Sequence, residues 1–342
     1  MKGKAIVFMV LFVLLVSVFH FGISFGAADS LSGSGSFAVQ STIEWWPMFH
    51  HDLSHTGFSP STAPETNHTA WTSRPGGGFE WSSAAIVDDA VYVGSSDGYV
   101  YSLNASTGTV IWNATTGGIV ESSPTVVDGS VYVGSYDCNV YALNASTGER
   151  VWNYTTGESV HSSPSVVDGI VYVGSNDGKA YALNATDGQL IWSQTIGPVS
   201  LSSPAVAYGT VYVGSNDHNV YALNASTGAP IWNYTTGNYV VSSPAVAGGM
   251  VFVGSYDSSV YALNASTGVR IWSYKTDDEV LSSAAVVNGT VFIGSMDGTF
   301  YAFGPEPVIP EFPSFLVLPS FMTVTLLAVL VFRRKHLSPS RE

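Results

Sequence analysis

Two positions in this sequence change identity while their surroundings repeat, and their side chains could do chemistry. The residue before each Ser-Ser pair is, in order, Trp81, Glu121, His161, Leu201, Val241 and Leu281. The residue before each following turn aspartate is Ser96, Tyr136, Asn176, Asn216, Tyr256 and Met296. A carboxylate and an imidazole at matching places can trade a proton as an acid/base pair. They can equally hydrogen-bond a sugar or peptide that stacks on an indole or phenol ring. Trp81, Glu121, His161, Tyr136, Asn176, Asn216 and Tyr256 are therefore the candidate ligand contacts, opposite an apolar half built from the leucines and valine. The competing reading is that these side chains only plug a channel.

Other chemistry-bearing residues are weaker candidates. His50, His51, Asp52 and His55 are of types that ligate Zn²⁺, but their spacing is not that of a helical zinc motif, and packing is the expected role. Six aspartates, Asp97, Asp137, Asp177, Asp217, Asp257 and Asp297, recur at a step of 40. Each stands alone in its turn, which suits capping of backbone N–H groups better than a Ca²⁺ loop. Cys138 is the only cysteine, so no intramolecular disulfide and no cysteine-rich metal site can form. A serine elbow, a phosphate loop and a zinc signature are all missing. Asn-X-Ser/Thr sequons are dense, at Asn67, Asn104, Asn113, Asn144, Asn153, Asn184, Asn224, Asn233, Asn264 and Asn288, and are glycan candidates in an exported chain.

The whole chain has 342 residues, 25 acidic and 11 Lys or Arg, for a formal net charge of −14. The apolar share of 46% is ample for a core and argues against disorder. Residues 29–314 hold 24 acidic and 5 basic groups, hence 5 − 24 = −19. A face for nucleic acid needs clustered Lys and Arg, so that partner class is excluded.

The termini read as membrane signals. Residues 1–28 have a basic start at Lys2 and Lys4, an apolar run and small residues at Gly26, Ala27 and Ala28, as a signal peptide does. The length of the run also suits an uncleaved anchor. Residues 315–332 are apolar and uncharged, long enough for a transmembrane helix, and Arg333, Arg334 and Lys335 put the tail (333–342) in the cytoplasm. Prolines at 305, 307, 310 and 313 make residues 305–314 a stiff spacer. The expected place of the bulk of the chain is the cell surface, anchored in the membrane. The stretch Ile309-Pro310-Glu311-Phe312-Pro313-Ser314, with its apolar helix and basic end, resembles the PEF-type anchor tails of archaeal surface proteins.

The elements that would position the candidate residues come from an internal repeat. Trp112, Trp152, Trp192, Trp232 and Trp272 are 40 residues apart, and Gly94 to Gly294 keep that step. Within one unit four short β-branched and aromatic runs, Ser203 to Ala207, Thr210 to Ser215, Val220 to Asn224 and Pro230 to Thr235, are separated by turn signals. Four strands in forty residues is the measure of a propeller blade. The expected fold is all-β, a six-bladed β-propeller over residues 70–304, preceded by an extension (29–69) packing on it. An orphan strand at Trp71 would complete the sixth sheet and close the ring. An open or seven-bladed arrangement is the alternative. Trp71 and the five later tryptophans are read as wedges between blades.

The run Ala142-Leu143-Asn144-Ala145-Ser146-Thr147-Gly148, ending at Trp152, resembles the tryptophan-docking motif of PQQ-like propeller repeats. The family usually has Asp where this chain has Asn104, Asn144, Asn184, Asn224 and Asn264, and Asp187 replaces a usual Thr. The stretch from Trp46 to Gly57 resembles the lead-in of such propellers. The resemblance implies the fold over residues 45–303. The family holds both quinoprotein dehydrogenases and an outer-membrane assembly lipoprotein, so it leaves activity open. Its enzymes use a Ca²⁺ shell around PQQ and often an adjacent cysteine pair, and they are longer and eight-bladed. The single Cys138 excludes that pair. The expectation is a non-catalytic binding or scaffold module for a cell-surface protein or glycan, without a cofactor. The alternatives are a quinoprotein-like or other enzyme, and an envelope assembly factor.

Overall fold

The computed structural model describes residues 47–57, 65–199 and 201–304. The expected signal, proline spacer, membrane helix and basic tail lie outside them. Among the described residues no helix is long and apolar enough to cross a membrane. They form six antiparallel sheets. Sheet one is β1 (Ala85–Val87), β2 (Ala90–Gly94), β3 (Tyr99–Asn104) and β4 (Val110–Thr115). Sheet two is β5 (Thr125–Val127), β6 (Ser130–Gly134), β7 (Asn139–Asn144) and β8 (Arg150–Thr155). Sheet three is β9 (Ser165–Val167), β10 (Ile170–Ser175), β11 (Lys179–Asn184) and β12 (Leu190–Thr195). Sheet four is β13 (Ala205–Ala207), β14 (Thr210–Gly214), β15 (Asn219–Asn224) and β16 (Pro230–Thr235). Sheet five is β17 (Ala245–Ala247), β18 (Met250–Ser255), β19 (Ser259–Asn264) and β20 (Arg270–Lys275). Sheet six has β21 (Ala285–Val287), β22 (Thr290–Gly294) and β23 (Phe300–Phe303) alone.

Burial follows position in the sheet. In β7, Val140, Tyr141, Ala142 and Leu143 are all buried, because both faces of a middle strand meet neighbouring sheets. In β8 only Trp152 is buried, as an outer strand with solvent on its far side requires. The short first strands pack against one another from sheet to sheet and are therefore innermost.

One contact set joins successive sheets. The Trp112 indole N–H donates to the Ala145 carbonyl at 2.8 Å, and the Tyr92 hydroxyl donates to the same oxygen at 3.2 Å. Trp152 with Tyr132 on Ala185, Trp192 with Tyr172 on Ala225, and Trp232 with Tyr212 on Ala265 repeat it. The indole lies flat on the Thr-Gly turn of the next sheet. A Cβ on Gly148 would stand 2.6 Å from the Trp112 ring, and φ there is +75°, so glycine is required twice over. Nearer the axis a serine ladder runs from Ser83 N–H to Ser123 Oγ, Ser123 to Ser163, Ser163 to Ser203, Ser203 to Ser243 and Ser243 to Ser283, each 2.9 Å.

Residues 47–57 thread along the innermost strands. The carbonyls of Pro47, Leu53, Ser54 and Thr56 accept the N–H groups of Val126, Val206, Val246 and Val286, serving sheets two, four, five and six. These N–H groups belong to strands with no sheet neighbour on that side, and burying them unpaired would be costly. His55 is buried between sheets, its Nδ1 3.3 Å from the Pro244 carbonyl and its Nε2 3.5 Å from Ser165 Oγ.

The expected ring closure is not what the structure shows. Among the described residues sheet six has no fourth strand, and the residues around Trp71 form no strand. Trp71 instead docks on sheet one, its indole donating to Ala105 at 2.8 Å. Five inter-sheet steps are made, and among the described residues no hydrogen bond links sheet six to sheet one. The physical reason lies at the would-be seam. Gly94, Gly134, Gly174, Gly214 and Gly254 each lie against a valine of the next sheet (Val120, Val160, Val199, Val240, Val280), whereas Gly294 meets only residues of its own sheet. The position that would supply the sixth valine is Glu80.

Burial holds the His55 imidazole down to about 3, from an ordinary 6.5. The unfolded chain therefore takes up this proton first as the pH falls. Stability present above about 6.5 is lost below it, by up to about 1.4 kcal/mol per pH unit. Denaturant titrations at neutral and at mildly acidic pH should show that His55→Gln loses less stability on acidification than the parent chain. Equal losses would place the acid sensitivity elsewhere.

Candidate functional site

The loops that carry the candidate residues meet on one face. Tyr136 N–H donates to Ile119 O, Asn176 to Ser159, Asn216 to Pro198 and Tyr256 to Tyr239, at 2.8–3.0 Å. Each bond ties a turn between second and third strands to the loop entering the same sheet. The turn aspartates staple that joint. Asp137 Oδ2 accepts from Gly117 N–H and from the Tyr141 hydroxyl, both at 2.6 Å, and Oδ1 accepts from Asn139 N–H at 3.0 Å. Burial alone would raise the carboxyl, but these donors together hold it below its ordinary value. Burial, and then the Asp137 carboxylate, push the Tyr141 hydroxyl up to about 12. Asp97, Asp177 and Asp257 make the same pair of contacts with their own glycine and tyrosine.

On this frame the structure brings together Glu121, Tyr136, His161 and Asn176. The Tyr136 and His161 rings stack at 4.0 Å between centroids and 17° between planes. His161 Nδ1 stands 3.6 Å from Glu121 Oε2, with both side chains still reached by solvent. His161 Nε2 lies 3.0 Å from Ser159 Oγ, and Asn176 Nδ2 donates to that same Oγ at 3.0 Å. Asn176 Oδ1 is buried with no hydrogen-bond partner. Burial lowers the His161 imidazole, and Glu121 opposes the shift. Burial and then the Glu121 carboxylate raise the Tyr136 hydroxyl. The result is a hydroxyl, an imidazole and a carboxylate in sequence under an aromatic lid. Such a group can donate and accept hydrogen bonds and can relay a proton.

Trp81 and Tyr256 are not bonded to this cluster. Trp81 is 64% exposed, and no hydrogen bond or ring contact joins it to the cluster. Tyr256 sits against Tyr239 at 5.9 Å, and Tyr239 against His218 at 5.3 Å, a second aromatic group on sheets four and five. Sequence reasoning missed Ser159, Tyr239 and His218. The available signal was the variable residue before each wedge valine: Ile119, Ser159, Pro198, Tyr239 and Glu279.

Neither implied prosthetic group fits the residues present. The Asp52 carboxylate accepts from Ser54 and Thr56 N–H groups, and His50 stacks on Phe49 at 4.2 Å, so the histidine stretch is engaged in its own turn. Among the described residues no three His, Cys, Asp or Glu side chains converge as a metal site. A quinone at the centre of the sheets would have to displace residues 47–57, whose carbonyls satisfy four innermost strands. Cys138 sits in its turn at φ 70°.

The sequons of the third-to-fourth-strand turns use only their oxygens. Asn104 Oδ1 accepts from Ser106 and Thr107, and Asn144, Asn184, Asn224 and Asn264 do likewise. Their Nδ2 atoms are donors in none of these bonds. Asn153 and Asn233 instead donate Nδ2 to Asn139 and Asn219. Asn67, Asn113 and Asn288 are exposed.

Four-stranded antiparallel sheets on a 40-residue period, joined by docked tryptophans, define a propeller-repeat protein. A family profile described as "Outer membrane protein assembly factor BamB" matches residues 61–200 and 197–306, most of the chain, and the chain belongs to that PQQ-like family. No curated protein matches the sequence. Among solved structures, BamB from Moraxella catarrhalis is 20% identical over 70% of this chain and 86% of its own, with a TM-score of 0.49. The computationally designed Ika8 protein is 19% identical over 66% of this chain and 70% of its own, with a TM-score of 0.59. Quinohemoprotein alcohol dehydrogenase ADHIIG from Pseudomonas putida HK5 is 16% identical over 74% of this chain, with a TM-score of 0.64. This chain spans 57% of that enzyme's length. These likenesses concern the fold.

Glu121 is the charge that keeps His161 from being lowered further. Followed by NMR of the imidazole ring protons, the His161 titration midpoint should move to lower pH in Glu121→Gln. A midpoint that stays or rises would show that the two groups do not interact.

Proposed function

We propose that this chain is a non-catalytic binding module held at the outer side of a membrane, taking a protein or glycan segment at the mouth formed by Glu121, Tyr136, His161 and Asn176. The observation that carries this reading is the buried, unpartnered Asn176 Oδ1 beside a solvent-reached carboxylate and a stacked imidazole. A polar atom left unpaired in a pocket is offered to a ligand donor. The family description supports a second reading, an envelope assembly factor, whose ligand would be an extended peptide. The order Ser159, His161, Glu121 supports a third, in which the same mouth cleaves what it binds. Membrane attachment through residues 315–332 and an archaeal-type tail rest on the sequence.

A glycan and peptide array probed with the full chain in detergent micelles tests these readings. Binding to one class, weakened tenfold or more in Glu121→Ala/His161→Ala, is expected. Undiminished binding by that variant would remove the site. Preference for extended peptides would favour the assembly reading, and product release lost in Ser159→Ala would favour catalysis.

The free Nδ2 atoms of Asn104, Asn144, Asn184, Asn224 and Asn264 make these turns the expected glycan sites, ahead of Asn153 and Asn233. Glycopeptide mass spectrometry of the chain from its native membrane should find them occupied. Ten unoccupied sequons would mean that asparagine is there only to shape the turn.

A further inference from the structure

The two ends of the sheet series are complementary halves of one joint. At the start, residues 69–80 sit on sheet one as the outer strand and loop of a preceding sheet would. The Trp71 indole donates to Ala105 O at 2.8 Å, as Trp112 does to Ala145. A Cβ on Gly108 would stand 2.4 Å from the Trp71 ring. Gly77 N–H donates to Asp97 Oδ2 at 2.7 Å, and Ser96 N–H to Gly78 O at 2.9 Å, matching Gly117 with Asp137 and Tyr136 with Ile119. Yet residues 69–74, Thr-Ala-Trp-Thr-Ser-Arg, belong to no sheet. They contain neither Pro nor Gly, so every N–H can enter a ladder.

At the other end, sheet six has the three inner strands and, among the described residues, no outer one. No described residue pairs with the outer edge of β23, and Phe300 is 72% exposed where its counterparts Val100 and Val140 are fully buried. An unprotected edge beside exposed aromatic surface is a template for another strand.

We propose that the open end of sheet six binds a second copy of this chain, head to tail, and that residues 69–74 of that copy become its fourth strand. The residues that follow β23 are poor donors of this strand. They lack the Asn-Ala-Ser-Thr-Gly turn that connects third to fourth strands elsewhere, and Pro305, Pro307, Pro310 and Pro313 remove N–H groups. The chain's own residues 69–74 dock on sheet one, and among the described residues no hydrogen bond joins them to β23. A second copy delivers both missing parts together: the strand, and sheet one to cover Phe300 and Gly294. The contact is heterologous, so it closes into a small ring or extends as a row of copies.

The register is specified by sheet one, where Val100 faces Ala114 and Ser102 faces Trp112. Matching Trp71 to Trp112 and Phe300 to Val100 puts Ser73 of one copy opposite Phe300 of the other. The test uses full-length chains in detergent micelles with Cys138→Ser, so that only introduced thiols are present. Ser73→Cys chains are mixed with Phe300→Cys chains and oxidised. A disulfide-linked species of twice the chain mass is expected in the mixture and in neither variant alone. In the parent chain, sedimentation should show a mass that rises from one chain as concentration increases. Failure of the mixture to cross-link overturns the proposal. So does a Ser73→Cys/Phe300→Cys double variant that forms its bond within one chain, which would show that the series closes on itself.

Discussion

The architecture depends on one carbonyl at each of four successive inter-sheet steps. The oxygens of Ala145, Ala185, Ala225 and Ala265 each take an indole N–H and a tyrosine hydroxyl from the preceding sheet. The two lone pairs of each are thereby used, and neither donor is left buried without a partner. The indole that makes this bond also covers the glycine of the turn. Hydrogen bonding and apolar burial therefore fail together if the tryptophan is lost, a truncation of the kind that costs about 3–5 kcal/mol. The contact runs from one sheet to the next in sequence, so each of these four interfaces depends on local geometry rather than on completion of a ring.

The centre is handled differently. Innermost strands turn one backbone edge towards an axis where no sheet continues. Water or a ligand could satisfy those N–H groups, but residues 47–57 do so with backbone carbonyls. That choice fills the space beside the innermost strands with the chain's own backbone. It also buries a histidine between sheets, where protonation is unfavourable.

On the loop face the repeats use their acidic groups structurally. The turn aspartates are consumed by glycine N–H groups and tyrosine hydroxyls, and most of the loop-face positions are bound by the same joint in every sheet. Chemical distinctiveness is then confined to the few positions the joint does not use. In sheets two and three these hold a carboxylate, an imidazole, a hydroxyl and an amide within hydrogen-bonding or ion-pairing reach.

The 40-residue step, the strand-and-turn pattern and the docking role of tryptophan were legible in the sequence, because each is a local property repeated often enough to be unmistakable. Glu121, Tyr136, His161 and Asn176 were legible too, as departures from the repeat at two positions that local turn geometry sends to one face. Ser159 was not, since a serine among dozens signals nothing until a histidine nitrogen is found 3.0 Å away. Trp81 and Tyr256 occupy the same two repeat positions, but neither makes a hydrogen bond or ring contact with that cluster, and Tyr256 packs against Tyr239 instead. Closure lay beyond the sequence too. Periodicity counts the units, while the angle between them follows from how indoles, valines and glycines pack, and only tertiary structure decided that the last sheet would end with an unpaired edge.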